Sequence, residues 1–449
     1  MQKHWCVWVA VAGLGVAAAC TKQVNVCHQD SDCGDVAYPF CDVDGQYAAS
    51  GGDKGVCTIV PPDCTPERCG CTPGAETCAS GSLTVCNADG HSVTTTACEL
   101  GCAPDSTRCG TFAPSNGLAD ALAMAANEPA FDFPALADIN DGGSIHEDSS
   151  GMPVAVKSFT VAQVGVPPIR VYVAHSFKIH AANLVATAPA SSSPIAFVAD
   201  GPIVIDGKFD GALPIRFPAP GNQVVTAPCT GVDGERGGGG GGNGADGGRG
   251  SQKAQLPPAP GAAGGPAQPV NIFEPLVGGC AGGGDGTGMQ LGGVGGPAFE
   301  FVSGTSITVA AMGIVNVAGQ GGDDDSGGGA GGNVVFESPM VALDGRVTAN
   351  GGSGGACGTA GNPGPIDATA AVRVGGCMAG NGVGAAYSGR GGTATDLPGD
   401  GATDTGSVRG GGGGGAVGRV EIKTRDGMYE HGSAAIISAK ISTGVLVAK

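Results

Sequence analysis

Aromatic side chains are scarce in this 449-residue chain, at 4% of its residues, and both tryptophans, Trp5 and Trp8, stand at its start. That scarcity counts against sugar grooves and single-strand nucleic-acid platforms, which lean on aromatic stacking. Positive charge is short as well. Against 40 Asp and Glu there are 22 Lys and Arg, for a formal net charge of −18, which repels phosphate backbones, so nucleic acid is not an expected partner. Beyond the first 20 residues no segment reaches the ~18 uninterrupted apolar residues that a membrane helix needs. Helical periodicity is nearly absent too, "LADALAMAA" from Leu118 being the one short helix expected.

What is present begins with "MQKHWCVWVAVAGLGVAAAC": Lys3, an apolar stretch from Trp5 to Ala19, then Cys20. This is the pattern of a secretory signal, too short to span a bilayer once its flanks are counted. Ala17, Ala18 and Ala19 before the cysteine resemble a bacterial lipobox, although that motif favours Leu where Ala17 stands. The resemblance implies removal of residues 1–19 and lipidation of Cys20, with a polar tract, "TKQVNV", following at once. The mature chain is therefore expected outside the cytoplasm, held to a membrane by lipid.

Cys6 lies in that leader and Cys20 takes the lipid. The other cysteines number 16, an even count that in an exported chain points to disulfides. A first cluster holds Cys27, Cys33, Cys41 and Cys57; a second holds Cys64, Cys69, Cys71, Cys78, Cys86, Cys98, Cys102 and Cys109. With so few large apolar residues around them, residues 20–110 form a disulfide-rich module stabilised by covalent loops, typically ~2–4 kcal/mol each. Its pairing is not derivable from spacing. Zinc is disfavoured, because paired C-x2-C knuckles are missing and Cys69 and Cys71 are too close for two tetrahedral ligands of one loop. Residues 111–151 read as a linker. Within it Asp138, Asn140 and Asp141 offer hard oxygens without the glycine and terminal glutamate of a calcium loop.

From residue 152 a repeat emerges. Ile203-x-Ile205-x-Gly207-x-Phe209-x-Gly211 aligns without a gap with Val309-x-Ala311-x-Gly313-x-Val315-x-Val317 and with Val341-x-Leu343-x-Gly345-x-Val347-x-Ala349. Ala435-x-Ile437-x-Ala439-x-Ile441-x-Thr443 fits the same frame, and Phe177-x-Ile179 with Leu184-x-Ala186 fits with one added residue. A further alternating run precedes each unit: "IRVYVA", "IAFVA", "FEFV", "VVFE" and "VEIK". Period-two alternation means half-buried strands, and the intervening glycine marks a sharp corner. Repeated strands without helices between them predict a mainly β fold, a right-handed parallel β-helix over residues 152–449. In it Ile205, Ala311, Leu343 and Ile437 stack as inward columns.

Glycine, 87 residues in all, fills two long insertions, at about 212–297 and 353–415. None of the glycine strings is a phosphate loop, since no G-x4-G-K-[ST] occurs. Each insertion carries two cysteines, Cys229 with Cys280 and Cys357 with Cys377. A disulfide across each would close it into a coil-rich protrusion on one side of the repeat.

The cadence "SDC…PFCD…G.C" from Ser31 to Cys57, "LGC……RCG" from Leu100 to Gly110, the lipobox and the glycine-interrupted rungs together resemble surface lipoproteins of myxobacterial-type Gram-negative bacteria. The likeness spans nearly the whole chain. It implies export and outer-membrane attachment, since Thr21 is not the aspartate associated with inner-membrane retention, and it implies no catalytic residue. The expected function is a cell-surface structural or adhesive display protein with no cofactor, whose partner is a surface polysaccharide or protein. The alternative is a β-helical polysaccharide lyase or hydrolase, which needs carboxylates and a basic residue on neighbouring rungs. Asp206, Asp344 and Arg346 lie near the corner, but both aspartates follow inward residues and so point to solvent. The triplet Asp323, Asp324 and Asp325 is a weak calcium candidate and a better solvated turn. His175 and His180, five apart, do not form a metal pair.

Overall fold

The structure, a computed structural model, describes residues 32, 40–42, 56–58, 71–88, 92–98, 100–102, 107–139, 144–147, 152–187, 193–211, 228–235, 237–251, 261–269, 273–286, 290–378, 385–402 and 410–447. It is mainly β and forms two compact units, residues 1–110 and 111–449.

In the first unit, Phe40–Asp42 pairs antiparallel with Val56–Thr58, which makes Cys41 and Cys57 backbone cross-strand partners. A three-stranded antiparallel sheet follows, Glu76–Ala79, Ser82–Cys86 and Val93–Ala97. Disulfides join Cys71 to Cys86, Cys78 to Cys102 and Cys98 to Cys109. Cys41 is also disulfide-bonded. Every residue of the strand Val93–Ala97 is exposed, so covalent cross-links rather than apolar burial hold this sheet, as expected where a chain supplies little core.

The second unit is built on three ladders. The first joins Lys157–Val161, Ile169–Ala174, Ile195–Ala199, Ala298–Ser303, Asn333–Glu337, Arg419–Thr424 and Lys440–Val445. The second joins Phe131–Asp132, Phe177–Ile179, Ile203–Ile205, Ser306–Val309, Met340–Leu343 and Glu430–His431. The third joins Met152–Val154, Ile145–Glu147, Leu136–Ile139, Leu184–Thr187, Lys208–Asp210, Ile314–Asn316, Arg346–Thr348 and Ile436–Ser438. From Ile169 onward the chain visits them in the order first, second, third, and every pairing between successive visits is parallel. Antiparallel strands close the early end, Lys157–Val161 on the first ladder and Ile145–Glu147 with Met152–Val154 on the third.

Alternate residues of each strand face a common core. In the first ladder Tyr172, Phe197, Phe301 and Phe336 stack face to face, with successive ring centroids 5.3, 5.6 and 5.4 Å apart and interplanar angles of 17°, 15° and 16°. In the second ladder Ile205, Val309 and Leu343 form a column, each fully buried.

Three sequence expectations need correction. First, Ala311 is not in the column of Ile205. Gly207, Gly313 and Gly345 do hold equivalent corner positions, because Lys208, Ile314 and Arg346 pair directly after them. The middle corner, however, is two residues longer, so Val309 takes the inward place and Ala311 and Met312 are exposed in a turn. Unbroken alternation through the corner hid the insertion. Second, Ile437 stacks on Val347 in the third ladder rather than on Leu343, and Ile441 pairs with Val420 in the first. Third, residues 111–151 are not a linker. They hold the helix α1 (Ala119–Ala125) and strands of the second and third ladders. Phe112, Leu118, Phe131, Phe133, Ile139 and Ile145 are all buried.

Candidate functional site

Every glycine-rich stretch lies in the same connection, from the third ladder back to the first. Residues 326–332 show how these stretches pack. The amides of Gly327 and Ala330 donate to the carbonyls of Gly283 and Cys280, those of Gly328 and Gly331 to Gly413 and Ala416, and those of Gly329 and Gly332 to Gln320 and Val317. In return, the carbonyls of Gly327 and Ala330 accept from Gly293 and Gly296, that of Gly328 from Gly241, and those of Ser326 and Gly329 from Gly355 and Gly352. Every third residue therefore addresses the same neighbour, and six neighbouring tracts surround this one.

A three-residue period with no internal hydrogen bond belongs to the extended polyproline-II type of chain, which leaves each backbone N–H and C=O to find a partner sideways. Here other glycine tracts provide those partners. Residues 237–242 behave alike: Gly238 and Gly241 donate to Asp325 and Gly328, Gly239 and Gly242 to Val232 and Cys229, and Gly240 to Gly248. The tracts approach so closely that a Cβ on Gly240, Gly327, Gly328 or Gly329 would lie within 3.0 Å of a neighbouring carbonyl. Composition that ordinarily means a solvated linker thus builds, over the described tracts, a hydrogen-bonded lattice of buried backbone. Cys229 and Cys280 are disulfide-bonded within it. Cys357 is disulfide-bonded as well, and its sulfur lies 3.6 Å from the carbonyl of Ala386, the backbone cross-strand partner of Cys377.

The second feature is a carboxylate cluster on the outer face of the first ladder. Phe299, Phe301, Phe336 and Ile422 point inward, so Glu300, Glu337, Glu421 and Lys423 point outward. Glu300 and Glu421 both pair with Val335, and Glu337 pairs with Lys423. Residues 111–117 lie across this face as a strap. Ser115 donates to Glu337 through its amide (2.7 Å to Oε2) and through its hydroxyl to Oε1. Asn116 Nδ2 donates to Glu300 Oε2 at 2.8 Å, and the Asn116 amide to Glu274 Oε1 at 3.4 Å. The strap turns at Asn116, whose φ of 56° a short amide side chain tolerates. Lys423 Nζ lies 2.9 Å from Glu337 Oε1 and 3.5 Å from Glu421 Oε2, and also donates to the Ser115 hydroxyl.

Glu300 is 0% exposed, and its Oε1 has no hydrogen-bond partner. Burial, then the Glu337 charge, push its carboxyl well above the ordinary glutamate range. Burial likewise raises Glu421, against the opposing pull of Lys423. For Lys423 burial works against the ammonium, but Glu337, Glu421 and Glu274 together outweigh it and hold the amine up. A carboxyl held above its ordinary range beside a carboxylate paired to an ammonium is an arrangement that general acid–base catalysis uses.

Sequence reasoning did not single out these four residues. A signal was present: "FEFV", "VVFE" and "VEIK" each carry an acid at an outward position of the same ladder. The aspartates it did single out lie elsewhere. Asp206 is half-buried and Asp344 and Arg346 are exposed, none near the cluster. Asp323, Asp324 and Asp325 form the turn between two glycine tracts: Asp325 Oδ1 accepts from the Cys357 amide at 2.8 Å, and Asp324 Oδ1 from the Gly358 amide. Among the described residues no group of three or more His, Cys, Asp or Glu is arranged to hold a metal ion. His175 pairs with Asp200 at 3.3 Å and His180 with Asp132 at 3.2 Å. Cys20, Cys27, Cys33, Cys64, Cys69, Asn140 and Asp141 lie outside the described residues. No described helix is long and apolar enough to cross a membrane. No family model matches the chain, and neither a curated protein nor a solved structure matches it.

Proposed function

We propose that the chain is an exported surface protein, lipid-anchored through Cys20, that serves as a structural or adhesive display scaffold rather than as an enzyme. Its body is read as a right-handed parallel β-helix whose return connections carry the glycine lattice. The observation that carries this reading is the lattice itself. Backbone groups throughout residues 237–242 and 326–332 are spent on one another, an investment that yields stiffness and a side-chain-poor slab but no convergent catalytic groups. The leader and the likeness to outer-membrane lipoproteins supply the location, and a surface polysaccharide or protein is the partner class.

The second reading, a polysaccharide lyase or hydrolase, draws support from Glu300, Glu337, Glu421 and Lys423 on three successive strands of one ladder. One experiment separates the two. The purified chain without its leader is screened against acidic and neutral polysaccharides, with product analysis. Binding without cleavage is the expected outcome. Cleavage that disappears in Glu300→Gln and Glu337→Gln variants retaining their β-rich circular dichroism would replace the scaffold with the enzyme. For the anchor, Cys20→Ser is expected to move the protein out of the membrane fraction, and unchanged partitioning would refute lipidation at that residue.

A further inference from the structure

We propose that the strap of residues 111–117 is a proton-operated clasp: it stays closed on the outer face of the first ladder while Glu300 carries a proton, and opens when that proton is lost. The geometry is specific. Two consecutive strap residues grip two different carboxyls, Ser115 on Glu337 and Asn116 on Glu300, and these two carboxyls differ in their surroundings.

Glu337 has Lys423 at 2.9 Å to balance its charge. Among the described residues Glu300 has no ion-pair partner of its own. Its cross-strand neighbours are Ala196 and Val335, its Oε1 has no partner, and the charged groups facing it are Glu337 and Lys423 from the adjoining strands and Glu274 from the loop beyond the strap. From the strap itself only Asn116 reaches it, and α1 contributes no charge, since Asp120 is exposed. An ionised Glu300 would be a buried charge with one neutral hydrogen-bond donor and a carboxylate beside it, an arrangement that is unfavourable unless it is solvated or neutralised. Opening the strap lets water reach it.

The sign follows from linkage. Glu300 binds its proton more tightly when the strap is closed than in an open chain, where a glutamate has its ordinary value near 4.5. The stabilisation of the closed form is therefore complete below that value and is lost as pH rises through the higher, closed-state value. Glu421 acts in the same direction. Lys423, held up by its three carboxylate neighbours, stays charged and is not the switch.

Opening has a mechanical consequence. The strap begins directly after Gly110, where the disulfide-rich unit ends, and leads into α1, which is anchored separately through Leu118, Ala121 and Ala125. Opening would release residues 111–117 from the ladder face and leave α1 in place.

The test is hydrogen exchange of the full mature chain from mildly acidic to alkaline pH, with labelling times scaled to the intrinsic exchange rate and peptides covering residues 111–118 followed. The open-to-closed ratio is expected to rise by up to tenfold per pH unit above the open-chain value, the slope of a single coupled proton, and to level off once pH passes the higher closed-state value, while peptides from the ladders do not change. In Glu300→Gln, and in Glu300→Met as a second variant of similar volume, the strap is expected to stay closed over the whole range. A pH-independent ratio in the wild-type chain overturns the proposal whether or not the variants fold, and so does an unchanged slope in either variant.

Discussion

At Gly329 a Cβ would fall within 3.0 Å of the carbonyls of Val294 and Gly293, and no flexible side chain stands there to move aside. At Gly444, in the last strand of the first ladder, the nearest atom is Cγ of Lys423 at 3.3 Å, the stem of a side chain that can shift. Both are glycines in a glycine-rich protein, and the lattice makes them unequal. Gly329→Ala is expected to lower stability by about 3 kcal/mol, the upper range for overpacking a close-packed interior. Gly444→Ala should stay within about 0.5 kcal/mol of wild type, as ordinary surface changes do. Denaturant titration of the two variants checks the contrast, and equal small effects would mean that residues 326–332 are not tightly packed. The same scale explains why "GGG" was opaque in the sequence. A glycine required by close approach and a glycine tolerated in a flexible linker are the same letter, and only the tracts across the lattice, far off in sequence, distinguish them.

The strands were legible where alternation had two consequences at once. In "VVFESPMVALDGRVTANG" the inward residues Val334, Phe336, Val341, Leu343 and Val347 all enter the core, because a residue that alternates and is large has only one face to occupy. Register was less legible. Val309-x-Ala311-x-Gly313 satisfied the repeat frame as well as Ile307-x-Val309 does, since alternation cannot count how many residues a corner consumes. That ambiguity yields a prediction. Deleting Ala311 and Met312 would leave Val309-Ala310-Gly313-Ile314-Val315, the same length as Ile205-Asp206-Gly207-Lys208-Phe209 and Leu343-Asp344-Gly345-Arg346-Val347 on either side. The shortened corner is expected to fold with a change of less than about 1 kcal/mol, because both deleted residues are exposed. Deleting Phe336 and Glu337 instead should abolish folding, as it removes a ring of the aromatic stack and the carboxylate that holds Ser115. Thermal melts of the two deletions decide the matter. Charged outward positions were the least legible of all. Glu300 and Glu421 stood in alternating runs already recognised as strands, yet alternation alone assigned them to solvent, whereas both are buried and Glu300 is gripped by Asn116 of the strap at 111–117.

For the whole second unit, two kinds of order share one chain. The ladders are held by side chains, with aromatic rings stacked through successive strands, and the lattice is held by backbone, with almost no side chains at all. Neither is a small accessory. The described glycine tracts lie between Lys208–Asp210 and Ala298–Ser303, between Ile314–Asn316 and Asn333–Glu337, and between Arg346–Thr348 and Arg419–Thr424, so three returns from the third ladder to the first run through the lattice. If the glycine tracts were loops, the scaffold reading would lose its stiffness and the tracts would become tethers. Hydrogen exchange resolved to peptides from residues 237–251, 326–332, 349–356 and 410–418 tests this most directly. The account predicts protection there comparable to that of the strands Ile195–Ala199 and Asn333–Glu337, because the tract amides are hydrogen-bonded and largely buried. Exchange at the rate of an unfolded chain in those peptides, with the strands still protected, would contradict it.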